Sequence, residues 1–124
     1  MNYEDRVTKQ YIENALANAG GAKIAYGSYS GTGSYGSGNK NSLSFSFQPK
    51  LVVISSGLAS SGADTLLMLY GQTRAASCGS NGGGNYCSTS WSGNRVSWYA
   101  TDSNNGAYYQ MNVSGFQYYY VAIG

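Results

Sequence analysis

Arg74, Asn85, Tyr86, Trp91, Asn94 and Arg95 fall within or beside one stretch, Gly71 to Asn94, "GQTRAASCGSNGGGNYCSTSWSGN". Sugars present apolar C–H faces and many hydroxyls. Aromatic rings stack on the former, while Asn, Asp and Arg hydrogen-bond the latter. Trp91 stands between Ser90 and Ser92 in no apolar pattern, which predicts an exposed ring. Asp102 and Asn104, beside a second turn, complete the candidate ligand-binding set, with Asn104 serving turn chemistry first. The bland alternative is an irregular loop packed on its own aromatics. Trp98 differs: it alternates with Val96 and Ala100, which places it in the core or at a subunit interface.

Catalysis finds little to work with. The chain has no His, so neither a Ser-His pair nor the usual zinc ligands assemble. After the first twenty residues the carboxylates are Asp64 and Asp102 alone. Two carboxylates about 5–10 Å apart can hydrolyse glycosides. Asp64, however, follows a Ser/Gly-rich loop and Asp102 opens a turn, positions where Asp satisfies local backbone groups. The expectation is no enzyme, no catalytic residue and no metal. Cys78 and Cys87 bracket "GSNGGGNY", a spacing unlike zinc or redox C-x-x-C pairs. A bridge between them would contribute roughly 2–3 kcal/mol, whereas a reducing cytosol favours two thiols, and both states stay open.

"GTGSYG", Gly31 to Gly36, matches the G-x-G-x-x-G of dinucleotide-binding turns. That turn requires a helix after it and an acidic residue about 20 positions on. Here an alternating run follows, Leu43, Phe45 and Phe47 against Ser42, Ser44 and Ser46, which is strand periodicity. Downstream lies Leu51-Val52-Val53, with no carboxylate. No cofactor is expected. The glycines turn the chain.

The elements that must carry these residues follow from pattern. Residues 2 to 19 read as a helix: Asn2 caps it, Lys9 and Glu13 pair, and Gly20-Gly21 ends it. Its stripe of Val7, Tyr11, Ile12, Ala15, Leu16 and Ala19 must be covered, and copies of the helix are the favoured cover. Residues 1–21 are thus read as a helical segment ending a stalk, and 22–124 as an all-β domain, an antiparallel β-sandwich. Strands are expected at Ala22 to Tyr29, Ser42 to Phe47, Leu51 to Ser55, Thr65 to Tyr70, Arg95 to Thr101, Ala107 to Val113 and Phe116 to Ile123. "LVVIS" and "TLLMLY" suit strands covered on both faces. Asn105-Gly106 suits a type I′ hairpin, and Gly71 to Asn94 is expected as a long functional loop.

Composition bounds the function. With 124 residues the chain makes one domain. A net charge of +2 is too small to argue for nucleic acid or an anionic membrane. No apolar run is long enough to span a bilayer, and no secretory signal is expected at the start. Thirteen Tyr with 18 Gly, and abundant Ser and Asn, resemble the palette of binding loops, which also suits exposed β-structure.

"VTKQYIENAL", then "GSYSGTGSYGSGNKNSLSFSFQPKLVVIS", then "MNVSGFQYYYVAIG" at the C-terminus together resemble the tip domain of bacteriophage and prophage tail-fibre proteins. The likeness runs from Val7 to Gly124 and is weakest between Ser56 and Asn94. It implies a homotrimeric, non-enzymatic tip at the distal end of a virion's tail fibre, made in the host cytoplasm. Such a tip attaches to a bacterial surface receptor, a glycan first among candidates. The "FSFQPKLVVIS" strand and aromatic final strand are also similar, more weakly, to H-type lectin domains, trimeric sugar-binding sandwiches. A fibre cap that only trimerises is the alternative.

Overall fold

A computed structural model of the chain describes residues 8–14, 21–56, 65–78, 86–101 and 105–124, with side chains of 76–78 left out. Residues 8–14 are helical (α1), inside the expected span. Lys9 Nζ lies 3.9 Å from Glu13 Oε1, the expected i,i+4 pair, and Tyr11 and Ile12 are exposed. Val7, Ala15, Leu16 and Ala19 lie outside the described residues.

Among the described residues eight strands follow: β1 (Ile24–Ser30), β2 (Asn41–Ser44), β3 (Leu51–Ser55), β4 (Thr65–Leu69), β5 (Arg74–Cys78), β6 (Tyr86–Ser92), β7 (Arg95–Ala100) and β8 (Gln117–Ile123). Their order is β1-β8-β3-β4-β5-β6-β7-β2, and every neighbouring pair is antiparallel. Strand β5 divides its pairing. Ser77 and Cys78 pair with β4, whereas Arg74 to Ala76 pair with β6, so β5 joins two sheets at a corner.

One core serves both sheets. Val52, Ile54, Leu66, Met68, Tyr118 and Ala122 face it from the first sheet, and Cys87, Val96, Trp98 and Ala100 from the second. Alternation along each strand sends every second residue inward, as a half-buried sheet requires. Gly27 sits opposite Tyr120, and a Cβ there would fall 2.5 Å from the Tyr120 hydroxyl, so the missing side chain makes room for the ring.

Two expectations fail, each for a physical reason. The stretch Gly71 to Asn94 is no single loop, because it contains β5 and β6. Three of its inward positions are the small residues Ala75, Cys87 and Thr89, which give no strong apolar alternation to read. Its turn to β7 is tight, with Gly93 at φ 57° in the first position of a two-residue hairpin, where a II′ turn requires positive φ. Second, Ala107 to Val113 is no strand and Asn105-Gly106 no hairpin turn. Gly106–Tyr109 is instead a short helix, α2. Tyr109, Gln110, Met111 and Asn112 are buried in succession, which a two-residue strand period cannot do. Gly106 carries no Cβ because the Tyr35 ring occupies that space.

Candidate functional site

Loop 31–40 owes its shape to two buried amides. Asn112 Oδ1 accepts from Thr32 N (3.1 Å), and its Nδ2 donates to Thr32 Oγ1 and Ser34 O, both at 2.8 Å. Gln110 Oε1 accepts from Gly36 N and Ala100 N, both at 2.9 Å. Its Nε2 donates to Asn39 O (2.7 Å) and Asn41 Oδ1 (3.1 Å). Gly33 and Gly36 take φ of 87° and 96°, and Gly31 backs so closely on the Val113 carbonyl that no Cβ fits. These are the duties of the GTGSYG glycines: two left-handed turns and one close approach.

Between this loop, β1 and β2 lies a hollow of about 400 Å³. Tyr29, Trp98, Asn112, Thr32, Asn39 and Lys40 are among the residues that line it. Tyr29 stacks on Tyr118 with ring centroids 5.2 Å apart, and its hydroxyl donates to Met111 O at 2.7 Å. Burial holds the Tyr29 phenol well above the ordinary tyrosine range, against a smaller lowering by the Asn41 hydrogen bond. It is a neutral donor at any physiological pH.

A second hollow, of about 390 Å³, lies on the outer face of the second sheet, lined by Lys40, Thr73, Arg74, Tyr86, Ser88, Thr89, Ser90 and Tyr99. Here two of the expected residues meet. The Arg74 guanidinium carbon sits 4.5 Å from the Tyr86 ring centroid, and Lys40 Nζ lies 5.6 Å from that of Tyr99. Such stacking holds a cation over an aromatic face at about 0.5–1 kcal/mol per exposed pair. Register places Arg74, Ser88 and Tyr99 in one row, Ser90, Ser97 and Ser42 in the next, and Ser92, Arg95 and Ser44 in a third. The face is therefore hydroxyls and cations.

The other expected residues are dispersed. Trp91 is a strand residue, half-buried rather than exposed: it packs on the core, lies 5.5 Å from Tyr70 edge-on, and donates Nε1–H to Gln72 O at 3.1 Å. As an inward position of β6 it belongs to the sandwich and lines neither hollow. Arg95 shares the polar face but donates Nε–H to Ser44 Oγ at 3.2 Å. Asn94 sits in the β6–β7 turn, where its carbonyl accepts from Phe45 N at 3.0 Å. Asn85, Asp102, Asn104 and Asp64 lie outside the described residues. Sequence reasoning missed Lys40 and Tyr99 because Lys40 ends loop 31–40 while Tyr99 stands on β7, and only the pairing of β2 with β7 brings them together. Among the described residues no group of three or more His, Cys, Asp or Glu could hold a metal.

Cys87 is a free thiol, not half of a bridge. It points inward and donates to Tyr109 O at 3.0 Å, while the β5–β6 register sets it opposite Ala75, three residues from Cys78. Burial pushes its pKa from 9.0 up to about 12. Raised above its unfolded value, the group supports the fold fully below pH 9 and loses that contribution as pH climbs from 9 toward 12. Native protein at pH 8 is accordingly expected to leave Cys87 unalkylated, with labelling appearing only in denaturant. Peptide mass mapping checks this; rapid native labelling at Cys87 would contradict it.

No protein-family model, curated protein or solved structure matches the chain, so the chemistry of the site stands on its own geometry.

Proposed function

We propose that this chain is a non-enzymatic adhesin, a homotrimeric tail-fibre tip that holds a bacterial surface glycan on the polar outer face of its second sheet. One observation carries the binding part of the reading. Lys40 borders both hollows, so that aromatic rings, hydroxyls and cations form one strip along β2, β7 and β6. A sugar chain needs those three groups side by side: rings for its C–H faces, and amides and hydroxyls for its oxygens. Arg74 and Lys40, each held over a tyrosine ring on this strip, favour a glycan bearing carboxylate or phosphate groups. The assignment to a tail fibre rests on the motif resemblance.

Arg74→Ala and Lys40→Ala are expected to weaken attachment to host cells at least about tenfold, ~1.4 kcal/mol. Melting temperature should fall only slightly, because both side chains are exposed and each gives up one exposed cation–π contact. Added salt should weaken wild-type binding in the same direction. Attachment unaffected by either substitution removes the site. The other reading, a cap that only assembles, draws on a different surface.

A further inference from the structure

The outer face of the first sheet is as apolar as the second sheet's is polar. Register across β1, β8, β3 and β4 stacks three rows: Ile24, Ile123, Leu51 and Leu69; then Tyr26, Val121, Val53 and Leu67; then Ser28, Tyr119, Ser55 and Thr65. The first two rows are entirely apolar, and no charged residue stands in any of the three. Tyr26 is 82% exposed and Ile24 63%, with Leu67, Leu69, Tyr119, Val121 and Ile123 between 39% and 54%. A solvated sheet face carries polar residues at these alternate positions, whereas strands that are apolar on both sides occur where both sides are covered.

We propose that copies of this chain pack on one another through this face. The inference deepens the assembly part of the proposed function by naming the surface, the sheet rather than the helix. Three observations favour a second copy as occupant. Exposed side-chain surface on these rows totals roughly 700 Å², close to the roughly 800 Å² each partner contributes to a stable protein interface. Such a patch exceeds what an isolated monomer ordinarily leaves in water. The face is also electrically neutral, so like copies meet without charge repulsion, and Tyr26 and Tyr119 bring hydroxyls that satisfy one another more readily than a lipid tail satisfies them.

The test is the mass of the full chain at micromolar concentration, by light scattering, for wild type, Val121→Asp, Leu67→Asp and Ile12→Asp. Wild type is expected at three chains. Either sheet variant should fall to one chain with its β circular dichroism intact, while Ile12→Asp keeps a mass above one chain. A wild-type dimer that Val121→Asp dissolves supports the face and overturns the number three. A wild-type monomer, or a multimer that survives Val121→Asp, overturns the proposal. So does a monomer that sediments with anionic vesicles, which would assign the face to lipid. Should both Asp variants fail to fold, radical footprinting of wild type decides: Tyr26 and Tyr119 protected supports the interface, and labelling at the rate of free tyrosine refutes it. A monomer that still binds glycan would refute this face alone; an intact assembly that binds none would refute the glycan site alone.

Discussion

Replacing Gln110 by Ala is expected to destabilise the domain by about 3–5 kcal/mol, since each buried partner left unpaired costs about 1–3 kcal/mol. The side chain is fully buried, and all four of its hydrogen-bonding positions are used. Its loss strands the Gly36 and Ala100 amides and the Asn39 carbonyl at once, and no water reaches Ala100, itself wholly buried. Because typical domains hold only about 5–15 kcal/mol, the variant should melt far below wild type. Loop 31–40 should loosen first, since the amide bridges it to β7. Gln110→Glu separates charge from shape. It keeps both acceptors but loses both donors and buries a carboxylate, so it too should destabilise at pH 7. Acidification returns one donor and should recover part of the loss. Urea denaturation of the three proteins at pH 7 and pH 4 checks this. A Gln110→Ala midpoint near wild type would show that the amide is dispensable.

Trp98→Ala should cost about 3–5 kcal/mol as well, by a different route. The ring is 1% exposed, filling the core from β7, with Asn41 and Thr89 as its neighbours in register. Truncation leaves a cavity that the flanking strands close only partly. It also removes the 2.8 Å bond from Nε1 to Gln110 O, so the carbonyl beside the amide bridge loses its donor. Trp98→Phe keeps most of the volume, loses that bond and leaves a smaller cavity, and should cost less than Ala, about 1–2 kcal/mol. Equal losses for Ala and Phe would mean that the hydrogen bond, not the ring, dominates.

Both residues show how much of the molecule the sequence discloses. Trp98 was legible, because it alternates with Val96 and Ala100 and the structure buries all three. The strands at Leu51–Ser55 and Thr65–Leu69 were legible for a different reason: dense aliphatic runs leave little choice. Gln110 was not. A polar residue in "YYQMN" reads as the solvent side of a strand, and only tertiary contacts with loop 31–40 explain why it is buried. Strands β5 and β6 escaped notice because Ala, Cys, Ser and Thr carry little hydrophobic signal at either face. Arg74 and Tyr86 were both named from residue type, and the register of β5 on β6 brings them close. Trp91 was misplaced, since serines on both sides mimic a loop when they are the outward positions of a strand.

The proposed carbohydrate recognition on the Lys40–Arg74–Tyr86–Tyr99 face is open to direct test on an array of bacterial surface polysaccharides. Wild type should bind a subset of acidic glycans saturably, and Arg74→Ala combined with Tyr99→Ala should lose that binding while remaining folded. A wild-type chain that holds no glycan at any concentration, or a double variant that binds as wild type does, would contradict it.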